Sequence, residues 1–137
     1  MIVVTKKFRF CAAHQYHNPN WPEEKNVAVF GDDHRIHGHN YDLEVSLTGS
    51  VDPNTGFVAD LEAIKSLVQE RVVDVLDHAQ IDKDIPWFKE RQPSSENLVL
   101  YIWEQLAPYI AEGVQLVRVR LYETPTIYAE YGGKMET

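Results

Sequence analysis

The sequence is short of cysteine, of unbroken apolar stretches and of positive charge, and each shortage excludes something. One cysteine, Cys11, cannot form an intrachain disulfide, so a cytoplasmic location is the default expectation. No apolar run approaches the roughly 20 residues of a membrane-spanning helix. The stretch from Met1 to Lys7 lacks the apolar segment of a secretion signal. Lys and Arg number 13 against 21 Asp and Glu, a net charge of −8, which argues against nucleic acid as a partner because phosphate backbones are held by basic surfaces. A small phosphorylated substrate needs only local positive charge and stays open. Repeats, low-complexity tracts and linker-like segments are also missing. At 44% apolar and 25% charged residues, positions 1–137 read as one soluble globular domain, long enough to bury a real core.

What the sequence does have is a cluster. Asp32-Asp33-His34-Arg35-Ile36-His37-Gly38-His39-Asn40-Tyr41 packs histidines and carboxylates together and runs straight into an alternating strand. Tyr41, Leu43, Val45 and Leu47 alternate with Asp42, Glu44, Ser46 and Thr48, the period of a half-buried strand. His37 and His39 share the apolar parity, so both imidazoles are expected on one side, where they could grip one divalent ion. Such a pair is more often two half-exposed strand residues, and a metal centre needs a third ligand. Residues 2–14 supply a candidate. Ile2 to Thr5 have high β-propensity, Phe8, Phe10 and Ala12 alternate with polar partners, and His14 keeps their parity. Paired antiparallel, the two strands would bring His14 towards His39. Three histidines plus a water is a catalytic rather than a structural zinc pattern. A bulge would spoil this parity argument.

The remaining elements are read from turn and cap chemistry. Residues 15–36 form an insertion with a short helix beginning at Pro22-Glu23-Glu24; His17 reads as a surface loop residue. Asp52-Pro53-Asn54-Thr55-Gly56 is a turn. Asp60 then caps a helix of about four turns with Leu61, Ile64, Leu67, Val68, Val72 and Val75 on its inner stripe. It stops near Leu76-Asp77-His78, which is either a solvated acid beside a cation at the helix end or a carboxylate holding an imidazole for proton transfer. Residues 79–93 read as irregular. Ser94-Ser95-Glu96-Asn97 caps a second helix, with Leu98, Ile102, Leu106 and Tyr109 inward and Pro108 at its end. A third strand carries Val117, Val119, Leu121 and Glu123 on one parity, so Glu123 either reaches solvent or meets a donor-rich ligand. A fourth strand spans Ile127 to Tyr131, and 132–137 is a tail. The order ββααββ predicts an α+β fold, a four-stranded antiparallel sheet with two helices on one face. Its other face and edges invite self-association.

Six pieces in order and spacing resemble the family of 6-pyruvoyl- and 6-carboxy-tetrahydropterin synthases. They are Phe10-Cys11-Ala12-Ala13-His14, His37-Gly38-His39-Asn40-Tyr41, Asp52-Pro53-Asn54-Thr55-Gly56, Leu76-Asp77-His78, Ser95-Glu96-Asn97 and Tyr122-Glu123-Thr124. The resemblance implies the tunnelling fold, commonly a hexamer of two trimers, with active sites between subunits. It implies that His14, His37 and His39 bind a catalytic zinc, that Asp77 and His78 relay a proton, and that Glu123 anchors a pterin with Ser95 supplying a hydroxyl contact. The implied substrate is 7,8-dihydroneopterin triphosphate, and the 6-carboxy branch serves queuosine biosynthesis.

One departure stands out. The family's catalytic cysteine precedes the His-Gly-His, and this chain has Asp33 in that place, with Asp32 beside it. Cys11, on the opposite parity to His14, reads as a packing residue. An aspartate is a weaker base than a thiolate by about 4–5 pKa units, roughly 6 kcal/mol of driving force. Three readings are open: a zinc-dependent lyase using Asp33, a variant that cleaves a carbon–carbon bond to give 6-hydroxymethyl-7,8-dihydropterin for folate synthesis, or a catalytically silent zinc- or pterin-binding homologue.

Overall fold

The computed structural model, described for residues 1–134, is built on one antiparallel sheet in the order β1-β2-β3-β4. The strands are β1 (Val3–His14), β2 (His37–Gly49), β3 (Val114–Thr124) and β4 (Ile127–Tyr131). The expected tail lies outside the described residues from position 135 onward. β1 and β2 pair without interruption from Val3 opposite Thr48 to His14 opposite His37. No bulge enters that ladder, so side-chain parity carries through to the histidine end. The irregularities fall elsewhere, between Ser46 and Leu47 against β3 and between Tyr122 and Thr124 against β4.

One face of the sheet is apolar. Phe8, Phe10, Tyr41, Leu43, Val45, Leu47, Val119 and Leu121 are buried there against two helical layers. The first layer runs through α2 (Leu61–Val68), a π-helical turn over Gln69–Val73 and α3 (Asp74–Leu76). Asp60 caps it by accepting hydrogen bonds from the N–H groups of Glu62 and Ala63. Its inner stripe is Ile64, Val68, Val72, Val73 and Leu76. Val75, expected inward, is 40% exposed. The extra residue of the π turn rotates the last helical turn relative to the first two, so Val73 and Leu76 take the core positions instead. The second layer is α5 (Ser95–Leu106), capped by Ser94. Tyr109, also expected inward, is exposed because the chain tightens into a 3₁₀ turn over Ala107–Tyr109 around Pro108.

The opposite face is charged rather than bare. Lys7 pairs with Glu44, Arg9 with Asp42, and Arg120 with Glu44 and Glu130. Cys11 lies on this side and is exposed, so it is not a packing residue: on a strand whose inner parity is Phe10 and Ala12, it points away from the core.

Two further helices sit in the connections. The insertion holds α1 (Glu23–Phe30), opened by Pro22, and a 3₁₀ turn over Gly31–His34. The stretch expected to be irregular contains α4 (Ile81–Asp84) and a 3₁₀ turn over Pro86–Phe88. Both are single turns fixed by burying Ile81, Ile85 and Phe88, too short to leave a periodic signal. Among the described residues no helix is long and apolar enough to cross a membrane.

Candidate metal centre and its surroundings

The register of β1 and β2 creates the centre. His14 stands opposite His37, and His39 opposite Ala12. All three imidazoles therefore emerge at one end of the apolar face, with ligand nitrogens within 4.8 Å of one another. A Cβ at Gly38, between two of them, would stand 3.4 Å from the Ala12 carbonyl oxygen, an ordinary contact, so the strand spacing does not itself require glycine there.

Hydrogen bonding decides which ring nitrogen faces inward. His14 Nδ1 donates to the Pro93 carbonyl at 2.8 Å, and His37 Nδ1 donates to the Arg35 carbonyl at 2.7 Å. A carbonyl can only accept, so both Nδ1 atoms carry the proton and both Nε2 atoms are bare in the neutral rings. Those two bare nitrogens lie 3.0 Å apart. Facing lone pairs at that distance repel unless a cation sits beside them. A proton is a poor candidate, because burial, opposed in part by the Pro93 bond, lowers the pKa of His14 to about 4, with His37 and His39 adding to the fall. A metal ion fits, and the carbonyls of Pro93 and Arg35 are the outer partners that orient such ligands.

Carboxylates border the histidines on two sides. Glu123 Oε1, on β3, is 3.7 Å from Nε2 of both His14 and His39. Asp33 Oδ1 is 3.8 Å from His37 Nε2, and its side chain is 68% exposed. Asp32 makes no such contact; its carbonyl accepts from the Arg35 N–H and closes the turn. Beside His39 and Glu123 a cleft of about 660 Å³ opens, lined also by Arg9, Cys11, Asn40 and Thr124.

The other expected residues lie nearby in different ways. Asp77 Oδ2 is 2.9 Å from His78 Nδ1, so the pair is formed. It sits along the outer edge of β1, where Asp77 Oδ1 accepts from the Cys11 N–H and the His78 N–H donates to the Cys11 carbonyl. These bonds, the Cys11 N–H first, hold the Asp77 carboxyl below its usual range. His78 has φ +64° and a side chain 83% exposed, so the imidazole projects outward from a left-handed backbone. Ser95 is buried in the first turn of α5, and its Oγ has no hydrogen-bond partner among the described residues.

Two neighbours were not anticipated. Tyr16 packs its ring 5.0 Å from that of His14, and its hydroxyl pKa is raised by burial and by the charges of Glu123, Glu96 and Asp33. Tyr16 shares His14's parity two residues on, a signal hidden because the strand ends at His14. Glu96 carried a signal only as part of a helix cap. The orienting carbonyls of Pro93 and Arg35 have no side-chain signature at all.

With this geometry in place, the relatives are informative. A family model described as 6-pyruvoyl tetrahydropterin synthase matches residues 3–134. The chain is 34% identical to the human 6-pyruvoyl tetrahydrobiopterin synthase over 96% of its own length and 91% of that protein's. The solved structure of the Caenorhabditis elegans 6-pyruvoyl tetrahydropterin synthase superposes with a TM-score of 0.89 at 34% identity, covering 97% of this chain and 96% of that one. A more distant fold neighbour is the Plasmodium vivax 6-pyruvoyltetrahydropterin synthase, at TM-score 0.63 and 19% identity over 98% and 100% of the two chains; it was solved with a catalytic glutamate replaced by cysteine and by alanine. The sheet with its helices on one face is the tunnelling fold of these proteins, and the chain belongs to the 6-pyruvoyl tetrahydropterin synthase family, whose enzymes process the side chain of a pterin.

Proposed function

We propose that the protein is a zinc-dependent lyase acting on the side chain of 7,8-dihydroneopterin triphosphate, with Asp33 as the base. The observation that carries this reading is the pair of bare Nε2 atoms 3.0 Å apart, each oriented by a carbonyl behind it. His14, His37 and His39 would hold the zinc through Nε2. When bound, the ion polarises the substrate's side-chain oxygen and acidifies the adjoining C–H.

The chain's own groups divide the remaining work. Glu123 offers two adjacent acceptors to the N–H donors on the amino-pyrimidine edge of the pterin. The hydroxyl of Ser95 is unpaired among the described residues but buried, so a further contact to the pterin requires the side chain to turn outward. Asp33, 3.8 Å from His37 Nε2, takes the proton from the activated carbon, and inorganic triphosphate leaves. The Asp77–His78 pair moves a second proton. Because its imidazole projects outward from the edge of β1, the pair serves the site of a neighbouring subunit.

A second reading is favoured by the same residue. A carboxylate where the family has cysteine suits cleavage of the side-chain carbon–carbon bond, giving 6-hydroxymethyl-7,8-dihydropterin. That a glutamate is a catalytic residue in the Plasmodium vivax protein gives a catalytic carboxylate a precedent on this fold.

The test is incubation of zinc-loaded protein with 7,8-dihydroneopterin triphosphate and identification of products by mass spectrometry. Inorganic triphosphate with a three-carbon or carboxylate side chain supports the first reading, and a hydroxymethyl product the second. Unchanged substrate at full zinc occupancy would leave either a different substrate or a site that only binds. Under either enzymatic reading, Asp33→Asn is expected to cut turnover by about 10²–10⁴-fold without loss of zinc.

A further inference from the structure

The insertion between β1 and β2 carries a second set of metal-competent donors, made of residues outside the three-histidine centre. His17, Glu23 and His34 each present a ligand atom, and these atoms lie within 4.8 Å of one another. They come from three separate pieces of backbone: the exit of β1, the first residue of α1 and the last residue of the 3₁₀ turn.

The donors are oriented as metal ligands are. His34 Nδ1 donates to the Tyr16 carbonyl at 2.9 Å and Nε2 donates to Glu23 Oε1 at 2.6 Å; both partners only accept, so the ring carries both protons and a bound metal would displace the one on Nε2. That backbone carbonyl does for His34 what Pro93 and Arg35 do at the first centre. The His34 side chain is only 11% exposed, whereas Glu23 reaches solvent. His17 lays its ring against that of His34, with centroids 5.4 Å apart and planes 27° from parallel. Its backbone is held on both sides by Gln92, whose Oε1 accepts from the His17 N–H at 3.1 Å and whose Nε2 donates to the His17 carbonyl at 2.8 Å. The ring nitrogens of His17, by contrast, have no hydrogen-bond partner among the described residues. Much of the ordering cost of a ligand is therefore already met.

Four ligands around an ion with bonds of about 2.1 Å stand roughly 3.4 Å apart. The His34–Glu23 contact, at 2.6 Å, is shorter than that value, and all three ligand atoms lie within 4.8 Å of one another, so the side chains would have to open around the ion. Two imidazoles and one carboxylate suit a borderline ion such as Zn²⁺ and leave a place for water, while Mg²⁺ and Ca²⁺ would ask for more oxygen ligands.

We propose that His17, Glu23 and His34 form a second zinc site, which fastens the insertion and with it the turn that carries Asp33. The link to that turn is short: Asp33 adjoins His34, and its carbonyl accepts from the Tyr16 N–H at 3.1 Å. The proposal stands apart from the catalytic reading, since its ligands and its readout are different.

Chelator-stripped protein would be titrated with Zn²⁺ alone and with Co²⁺ as a spectroscopic probe, with bound metal counted by elemental analysis after gel filtration. The wild type is expected to take two equivalents per chain, His39→Ala to retain the insertion site, and His17→Gln to retain only the three-histidine site. Glu23→Gln, at a second exposed position, is expected to give the same loss as His17→Gln. Limited proteolysis within residues 15–36 should slow when the second equivalent binds to wild type, and not in His17→Gln. Zinc content undiminished in both His17→Gln and Glu23→Gln, or no zinc retained by His39→Ala, would overturn the proposal, whereas one equivalent in wild type that survives in His39→Ala would count against the three-histidine centre alone.

Discussion

Glu123 occupies a position where two roles compete. Its carboxylate is 3.7 Å from Nε2 of both His14 and His39, near enough to complete a metal shell after a small shift and equally placed to receive a pterin in the adjoining cleft. The neutral isostere separates these roles. An amide keeps the shape but sets an N–H₂ against a ligand N–H, leaving one buried donor unpaired. Glu123→Gln is therefore expected to cost about 2–3 kcal/mol of binding, on the order of 100-fold in KM, with zinc content unchanged. Loss of zinc in that variant would instead mark the carboxylate as the fourth ligand. Elemental analysis and steady-state kinetics on the same preparation decide it.

At the scale of elements, the insertion matters more than its irregular look suggests. Asn26, fully buried, accepts from the Asn18 N–H at 2.7 Å and donates to the Asn18 carbonyl at 3.0 Å. It thus ties α1 to the loop after β1. Asn26→Ala would strand both groups, and is expected to lower stability by about 2 kcal/mol in urea unfolding and to reduce turnover with no change in zinc content at the three-histidine centre. The sequence hid this element because one buried amide in a polar segment has no periodicity. The histidine centre was legible for the opposite reason: an uninterrupted ladder converts parity into position, so His14, His37 and His39 had to meet. The first helix's stripe was legible from Ile64 onward, though Leu61, also expected inward, is exposed at its start, and at the π turn one extra residue moved Val75 out and Val73 in. Cys11 was misread although its parity already set it off the core face: packing there needed a covered second face, and that face is charged and open. The Asp77–His78 contact could be anticipated only as one of two options, since a helix end accommodates both.

For the whole molecule, the proposed relay through Asp77 and His78 requires sites shared between copies. The zinc-competent histidines open at one end of the sheet, whereas His78 projects from the outer edge of β1 with its side chain 83% exposed. The outer edge of β1 beside Cys11 and Ala13 is already bonded by residues 77–80, whereas β4, at the far edge of the sheet, offers exposed Ile127 and Tyr128 for pairing. If a neighbour's Asp77–His78 pair completes each site, two inactive chains can repair one another. His39→Ala lacks the metal ligand but has an intact relay; His78→Ala lacks the relay but has an intact centre. In oligomers formed from an equal mixture, a site combining the centre of one with the relay of the other arises about a quarter of the time. Co-refolding the two variants is therefore expected to restore roughly a quarter of full turnover, while separately refolded chains stay inactive when assayed together without exchange. A single chain carrying both substitutions, mixed with wild type, should lower activity per wild-type chain, because it removes relays as well as centres. No recovery in the co-refolded mixture, with mixed oligomers demonstrated by mass spectrometry, would place centre and relay in the same chain.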